Sequence, residues 1–169
     1  QLVVQHASCG VCLMHMHRDP QSMQVQPMQG SLLDTVQEVR AFLDQRSHVL
    51  RSLGVSKDRI VLDPGIGFGK TVPQNLALLA HQRELMRGGH AVLAGWSRKS
   101  SLGAVLEALP PGVMDVSYKS DLLAHERSLA SVSAHVLAVE RGARIVRVHD
   151  VAATRQALAV WEAMHRTES

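Results

Sequence analysis

The residues whose types and spacing could do chemistry begin directly after a short apolar segment, Ile60-Val61-Leu62. Asp63 comes first, and Pro64 keeps it out of helical geometry, so we expect the carboxylate at the tip of a strand. Glycine then occupies every second position from 65 to 69, and Lys70 follows. Such a loop can bring backbone N–H groups close to a ligand, so we expect it to hold an anion together with Lys70, while Asp63 accepts N–H donors.

Two well-known phosphate loops are excluded by spacing. A Walker A loop requires glycine where this chain has Pro64, and in the dinucleotide fingerprint the third glycine would stand one residue after Gly69. A glycine-rich turn that binds no ligand remains an alternative, because turns use glycine freely.

Polar residues also follow three other apolar segments that have the pattern of short strands. They are His15 and His17 after residues 11–14, Ser97, Arg98 and Lys99 after residues 91–94, and Arg147 and His149 within and just after residues 145–148. Ligands of α/β proteins bind at the carboxyl ends of the parallel strands. We therefore predict one site at which these residues meet Asp63.

The predicted site has a surplus of positive charge. One carboxylate faces several cations, namely Lys70, Arg98, Lys99 and Arg147, with His149 as a further candidate. Arginine and lysine bind phosphate groups through charge-assisted hydrogen bonds, so the surplus indicates a phosphate or diphosphate ligand. Structural alternatives stay open, because Arg147 could pair with Asp150 and Arg98 could face solvent or a structural carboxylate.

Two further pairs of residues could bind a metal or take part in redox chemistry. His15 and His17 would point to the same side of a strand end, but no third ligand lies nearby in sequence and zinc sites need three or four. Cys9 and Cys12 precede a strand, whereas a redox Cys-x-x-Cys pair follows one, so a tight turn is favoured for them. We predict no metal site from these residues and leave the roles of both pairs open.

The hydrophobic pattern predicts strands that alternate with helices. The strands cover residues 11–14, 58–62, 91–94 and 145–148, and the helices cover 32–53, 74–87, 102–109, 121–140 and 151–165. Parallel strands joined by crossover helices require this order. A doubly wound sheet and a (β/α)₈ barrel both satisfy it, but a barrel needs eight strands and about 250 residues, so this chain would be half of one.

Length and charge narrow the functional class. The chain has 169 residues, which suits a single domain over residues 1–169. It has 18 Lys and Arg residues against 15 Asp and Glu residues, and the basic residues are spread along the chain, so a nucleic-acid partner is not indicated. No apolar run reaches the ~18 residues of a membrane span, and we expect a cytoplasmic protein. Because the first residue is Gln1 and residues 1–7 have the pattern of a helix end, we expect that a segment has been removed upstream.

Four segments of the chain resemble, in the same order, those of a known family. They are Leu13-Met14-His15-Met16 with Pro20, Met23 and Gln24, then Leu62 to Lys70, then Ser97-Arg98-Lys99-Ser100 with Gly103, and finally Arg147 to Val151. Along essentially its whole length the chain resembles the dihydropteroate synthases, which are pterin-binding barrels. It departs from them at His17-Arg18-Asp19, where a Gln-Gly pair is usual.

The resemblance implies a fold and an activity. The fold is α/β, namely the C-terminal four βα units of a (β/α)₈ TIM barrel, with parallel strands and outer helices. The enzyme is a transferase of folate biosynthesis and a sulfonamide target. It condenses 6-hydroxymethyl-7,8-dihydropterin diphosphate with p-aminobenzoate and releases diphosphate.

The resemblance also implies a role for each site residue. Asp63 would hold the pterin ring with Lys99 beside it, and the slot would be lined by Met14, Phe68 and Gly95. Arg147 and His149 would bind the diphosphate, whereas Ser97, Lys99 and Gly67 would meet the p-aminobenzoate. Asp63, Lys99, Arg147 and His149 are therefore the candidate catalytic residues.

The part of the family's barrel that this sequence does not match would supply a magnesium-binding asparagine and further pterin contacts. We therefore expect Mg²⁺ as cofactor with no ligand from this chain, and no activity from the chain alone. Its partners would be small-molecule substrates, not nucleic acid or membrane, and an open barrel edge favours a homodimer. The alternatives are a pterin-binding methyltransferase domain, which would not need cations for a diphosphate, and a non-catalytic module that uses helix 121–140 as an oligomer interface.

Overall fold

The computed structural model describes residues 2–23, 25–110 and 127–167, and these form alternating helices and strands. The elements in chain order are α1 (Leu2–Gln5), β1 (Val11–Met14), α2 (Leu32–Ser52), β2 (Ile60–Asp63), α3 (Val72–Ala80), α4 (Gln82–Leu85), β3 (Ala91–Ala94), α5 (Ser100–Glu107), α6 (Ser128–Glu140), β4 (Ile145–Val146) and α7 (Val151–Arg166). No helix in these three ranges is both long enough and apolar enough to cross a bilayer.

The strands form one parallel sheet in the order β1-β2-β3-β4. The register pairs Met14 with Asp63 across the first two strands, and Ala94 with Val146 across the last two. The carboxyl ends of all four strands therefore lie along one edge of the sheet. This confirms the predicted α/β fold, in which the residues after each strand meet at that edge.

The two faces of the sheet differ in burial. On one face Ile60, Leu62, Val92 and Ala94 are at most 1% exposed and form the centre of the hydrophobic core under the helices. On the other face Cys12 and Ile145 are exposed and Val61, Ala91 and Leu93 are partly exposed, whereas Asp63 at the end of β2 is buried. Helices of the described residues thus cover only one face, as the outer helices of a barrel do.

Helix α2 shows how the sequence fixes an element of this outer layer. The Ser31 side chain accepts the N–H of Asp34 while the Asp34 side chain accepts the N–H of Ser31, which forms a capping box. Val36, Val39 and Leu43 follow at helical spacing and are buried. The observed end at Ser52 lies one residue before the predicted one.

The helix predicted over residues 74–87 is two helices. It begins at Val72, because Thr71 and Gln74 form a second capping box, and it breaks at His81. After the break, the buried Gln82 side chain donates to the Ala138 carbonyl of α6 at 2.8 Å. Gln82 thus connects the second of the two short helices to α6.

Other predicted bounds move for local reasons. The second strand begins at Ile60 rather than at residue 58, because Lys57–Arg59 form a 3₁₀ turn. The fourth strand ends at Val146, after which Arg147 makes one more ladder bond by donating its N–H to Ala94. Helix α5 begins two residues before its predicted start. The part of helix 121–140 that precedes residue 127 lies outside the described residues.

The burial pattern of α2 gives a matched test of the core. We expect Leu43→Ala, at a residue 1% exposed, to lower the free energy of unfolding by about 2 to 5 kcal/mol, because it leaves a cavity between the helix and the sheet. Leu33→Ala, at a residue 56% exposed on the same helix, should cost less than about 1 kcal/mol. Urea denaturation followed by circular dichroism measures both, and equal losses would contradict this core.

Candidate active site

Asp63, the last residue of β2, is a buried carboxylate at the carboxyl edge of the sheet. It is 1% exposed, and its Oδ1 accepts the Gly65 N–H at 2.7 Å. Its Oδ2 lies 3.8 Å from Arg147 Nη2 and has no hydrogen-bond partner among the described residues. Burial raises the pKa of Asp63, although the Gly65 N–H and the nearby Arg147 oppose that shift. One oxygen is therefore fixed by the loop, and the other is available to accept a hydrogen bond.

Lys70 holds the glycine loop from inside. Its Nζ donates to the Gly65 carbonyl at 3.0 Å and to the Phe68 carbonyl at 3.2 Å, and the residue is only 6% exposed. Burial is the main cause that lowers the pKa of Lys70 to about 7. The prediction that Lys70 faces an anion is therefore wrong, because its donors bind the loop itself.

The loop does not offer its N–H groups to an anion either. The Gly65 N–H donates to Asp63, the Gly67 N–H donates to Asn75 Oδ1 at 2.9 Å, and the Phe68 N–H donates to the Gly65 carbonyl. The expected anion cradle is thus wrong at these three positions, because internal acceptors bind the N–H groups.

Close packing explains the alternating glycines. Gly65 has a φ of 67°, and a Cβ there would lie 1.8 Å from the His15 carbonyl oxygen. A Cβ on Gly69, φ 72°, would lie 2.7 Å from the His17 Cβ. The loop therefore packs directly on the residues that follow β1, and at these two positions the glycines make room for the chain rather than for a ligand.

Lys99 lies against the outer side of this loop. Its Nζ is 4.5 Å from the centroid of the Phe68 ring, and a Cβ on Gly67 would lie 3.4 Å from the same atom. Partial burial is the main cause that lowers the pKa of Lys99, and the charge of Arg147 adds to the shift. Lys99, Phe68 and Gly67 thus form one wall of the site, with Asp63 at its base.

Arg147 crosses the end of the neighbouring strand to reach Asp63. A Cβ on Gly95, the residue after β3, would lie 2.9 Å from Arg147 Nη2. A side chain at this position would displace the guanidinium from its present path. Met14 lies on the other side of Asp63, opposite it in the register of β1 and β2.

His149 and Ser97 join the third and fourth strand ends. His149 Nδ1 lies 2.8 Å from Ser97 Oγ, and the His149 N–H donates to the same oxygen at 3.1 Å. A cavity of about 460 Å³ opens here and is lined by Gly95, Ser97, Arg98, Lys99, Arg147, Val148 and His149. Since its charged side chains are cations, the cavity favours an anion.

Arg98 has a structural partner. Its Nη2 lies 3.0 Å from Asp150 Oδ1, so the predicted alternative of a structural carboxylate is confirmed for Arg98. The alternative pairing of Arg147 with Asp150 is wrong, because Arg147 lies beside Asp63.

His15 is a core residue rather than a site residue. It is 4% exposed, and its ring meets the edge of Phe42 with centroids 5.0 Å apart. Burial, with the charge of Lys70, lowers the pKa of His15 to about 4. Within the described residues, no group of three or more His, Cys, Asp or Glu side chains could hold a metal ion. Cys9 and Cys12 are free and exposed.

Sequence reasoning missed Asn75, which is 1% exposed in α3. Its side chain accepts the Gly67 N–H and donates to the Lys70 carbonyl at 3.2 Å and to Ser101 Oγ at 3.0 Å. The available signal was a polar residue, Asn75, directly before the apolar helical segment Leu76-Ala77-Leu78-Leu79. Asn75 fixes the glycine loop to α5, the helix that follows Lys99.

Comparison with known proteins identifies relatives of this arrangement. The family described as pterin binding enzyme matches residues 1–149. A dihydropteroate synthase of Haemophilus influenzae is 41% identical over 153 residues, which are 90% of this chain and 50% of that one. The chain spans about half the length of the curated relatives it matches.

Solved structures give the same result. The Xanthomonas albilineans dihydropteroate synthase with 4-aminobenzoic acid is 40% identical, with a TM-score of 0.79 over 96% of this chain and 51% of that chain. The Burkholderia cenocepacia dihydropteroate synthase with 7,8-dihydropteroate is 47% identical, with a TM-score of 0.76 over 94% of this chain and 54% of that chain. The four βα units therefore correspond to about half of a TIM-barrel structure, as the sequence predicted.

Two glycines with left-handed backbones give a matched test of the loop. We expect Gly65→Ala to cost well over about 3 kcal/mol of unfolding free energy, because the new Cβ overlaps the His15 carbonyl as well as straining the backbone. Gly54→Ala, φ 89° with nothing within 4 Å, should cost only about 1 to 2 kcal/mol from backbone strain. Chemical denaturation compares the two, and similar losses would show that the loop does not pack on β1.

The buried His15 predicts a pH dependence of stability. Its pKa of about 4 in the folded chain lies below the unfolded value of 6.5, so the unfolded state binds more protons between those values. Stability should therefore fall as pH drops from about 6.5 to 4, with His15 contributing on the order of 3 kcal/mol.

Replacing this histidine tests the assignment. His15→Gln should flatten the curve of unfolding free energy against pH in that window, whereas His48→Gln, at an exposed histidine of α2, should leave its slope unchanged. Urea denaturation at pH steps from 4 to 7 gives both curves, and parallel curves for the wild type and His15→Gln would refute this.

Proposed function

The chain belongs to the pterin-binding enzyme family, and on that premise we propose that it forms the C-terminal part of the active site of a dihydropteroate synthase. The reaction proposed is the condensation of 6-hydroxymethyl-7,8-dihydropterin diphosphate with p-aminobenzoate, which yields 7,8-dihydropteroate and diphosphate. Residues 1–169 act in this proposal as one pterin-binding domain.

One observation carries the proposal. The buried carboxylate of Asp63 lies 3.8 Å from Arg147 Nη2, and Arg147 lines a cavity together with Lys99. These three residues come from three different strand ends, far apart in sequence. Such convergence is what an active site of a (β/α)₈ barrel requires.

We assign Asp63 to the pterin ring. Its Oδ2 has no hydrogen-bond partner among the described residues, and an ionised carboxylate can accept paired N–H donors from a flat heterocycle. Lys99 lies against the ring of Phe68, Met14 lies opposite Asp63 in the register of β1 and β2, and Gly95 directly follows β3. These residues would line the slot, so the ring would lie flat against Phe68.

We assign the diphosphate to Arg147 and His149. In the reaction the C–O bond to the diphosphate breaks and its electron pair leaves with the diphosphate, while the pterin ring spreads the positive charge left on the methylene carbon. The amine nitrogen of p-aminobenzoate then forms the C–N bond and loses a proton. Preformed cations at the departing diphosphate stabilise its developing charge, which is usually the largest catalytic contribution, and no protein nucleophile is required.

Ser97, Lys99 and Gly67 are proposed to meet the p-aminobenzoate. The Xanthomonas albilineans relative was solved with 4-aminobenzoic acid and the Burkholderia cenocepacia relative with 7,8-dihydropteroate, which supports these two molecules as ligands of the proposed site. The same subsite is then the place at which a sulfonamide would bind.

The proposal extends to partners that the chain itself does not supply. No group of three or more His, Cys, Asp or Glu side chains among the described residues could hold a metal ion, and we assign the ligand of Mg²⁺ to the other half of the family's barrel. We expect the chain alone to be inactive, because the other half of the barrel would supply part of the site. We also propose that the protein is a cytoplasmic homodimer.

The cations decide between the proposal and a pterin-binding methyltransferase domain. A methyltransferase needs the pterin carboxylate but not the cavity formed by Ser97, Arg147 and His149, which favours a synthase. A non-catalytic module, with α6 as an oligomer interface, would bind neither pterin nor diphosphate.

Calorimetry with the 169-residue chain tests the assignments. Arg147→Met should weaken binding of inorganic pyrophosphate about tenfold or more, because a charge-assisted contact is lost. Asp63→Asn should weaken binding of the pterin diphosphate by a similar factor while leaving pyrophosphate nearly unchanged.

Arg166→Met is the control, because it removes the same charge from the far end of α7, about 22 Å along the helix from the site. It should bind both ligands as the wild type does. A wild-type chain that binds neither ligand would favour the non-catalytic module, and a chain that binds pterin but not pyrophosphate would favour the methyltransferase.

A further inference from the structure

The segment between β3 and α5, residues 95–99, carries three of the proposed site residues and is held from outside by α6. We propose that His135 and Ser131 of α6 are positioning residues, which fix this segment so that Ser97 and Lys99 face the cavity. This rests on the proposed function for what the cavity binds, but the contacts themselves are independent of it.

His135 fixes the start of the segment. It is fully buried, and its Nε2 accepts the backbone N–H of Trp96 at 3.2 Å. That nitrogen must therefore be unprotonated, so the ring is neutral and carries its proton on Nδ1. A leucine could fill the same space, but it would leave the buried Trp96 N–H without this acceptor.

Ser131 fixes the middle of the segment. It lies one turn before His135 on the same face of α6 and is 2% exposed. Its Oγ accepts the N–H of Arg98 at 2.8 Å and donates to the Arg127 carbonyl at 2.6 Å. Both hydrogen-bonding directions of the hydroxyl are thus used, which fixes its orientation.

Arg98 is the residue that needs this support. Its φ is 58°, in the left-handed region that residues with a side chain disfavour. Its carbonyl also accepts from Arg127 Nη1 at 3.2 Å, so α6 and the residue before it bind both backbone groups of Arg98. Gly103 of α5 leaves room for that arginine, because a Cβ there would lie 2.9 Å from Arg127 Nε.

The conformation of Arg98 sets the positions of two cavity-lining residues, Ser97 before it and Lys99 after it. Ser97, just before it, contacts the N–H and the ring of His149, and Lys99, just after it, contacts the face of Phe68. The turn at Arg98 sends these neighbours to their separate positions. If the hydrogen bonds from α6 to this turn are lost, Ser97 and Lys99 should no longer keep their relative positions at the cavity. Asp63 lies on β2, so its position should not depend on these bonds.

The test compares four variants of the 169-residue chain with the wild type and with the core variant Leu43→Ala. His135→Leu removes the acceptor and keeps the bulk, whereas His135→Gln keeps an acceptor oxygen within reach of Trp96. Ser131→Ala removes the hydroxyl, and Ser133→Ala removes an exposed hydroxyl from the same helix as its control. Amide hydrogen exchange at Trp96 and Arg98 is measured by NMR, and affinity for inorganic pyrophosphate is measured by calorimetry.

We expect His135→Leu to speed exchange at Trp96, and Ser131→Ala to speed exchange at Arg98, each about tenfold or more, with pyrophosphate binding weakened about fivefold or more in both. His135→Gln and Ser133→Ala should remain within about twofold of the wild type. The destabilised core variant Leu43→Ala shows whether weakened binding merely follows lower stability, and it should retain pyrophosphate affinity.

Unchanged exchange in His135→Leu and Ser131→Ala would overturn the proposal. Failure of His135→Gln to restore the wild-type values, or an equal loss of affinity in Leu43→Ala, would overturn it as well. A wild-type chain that binds no pyrophosphate would refute the proposed function instead, and the exchange rates would still decide whether α6 positions the segment.

Discussion

The structure depends on keeping one carboxylate, Asp63, buried at the end of a parallel strand. An isolated buried charge is costly, so its neighbours must compensate it. The Gly65 N–H binds one oxygen, and the guanidinium of Arg147 lies near the other. Because burial still raises the pKa of Asp63, the compensation is incomplete, and the carboxylate retains a capacity to accept hydrogen bonds that a fully satisfied side chain would lack.

Close approach between strand ends follows from that constraint. Gly95 lets the Arg147 guanidinium cross the end of β3, and Gly67 lets the Lys99 ammonium lie against the loop after β2. In both cases a small residue on one strand end admits a long cation from the next strand along the sheet. The side chains therefore reach Asp63 through gaps in the backbone layer, and a substitution at either glycine would act on the cation rather than on the carboxylate.

The sequence predicted the sheet and the polar residues that gather at its carboxyl edge, because hydrophobic period and strand-end polarity are local signals. It could not assign Lys70, since a lysine bound to buried carbonyls and one that faces a ligand have the same sequence. Asn75 and His135 were missed for a related reason. Each binds the backbone of a loop that is not adjacent to it in sequence, Asn75 at Gly67 and His135 at Trp96. The break at His81 is followed by the contact of Gln82 with α6, a long-range contact that the local hydrophobic pattern does not contain.

The cations around Asp63 are arranged by depth, and this arrangement has a chemical consequence. Lys70 is 6% exposed and bound to carbonyls, Lys99 is half-buried against an aromatic ring, and the Arg147 side chain is 57% exposed. The cations that could bind a ligand therefore lie toward solvent. The hydrogen-bond acceptor, Asp63, lies at the base of the site. A ligand with N–H donors on a flat end and negative charge on the other end matches this order in one orientation only. The opposite orientation would place phosphate oxygens against a carboxylate, which like-charge repulsion disfavours.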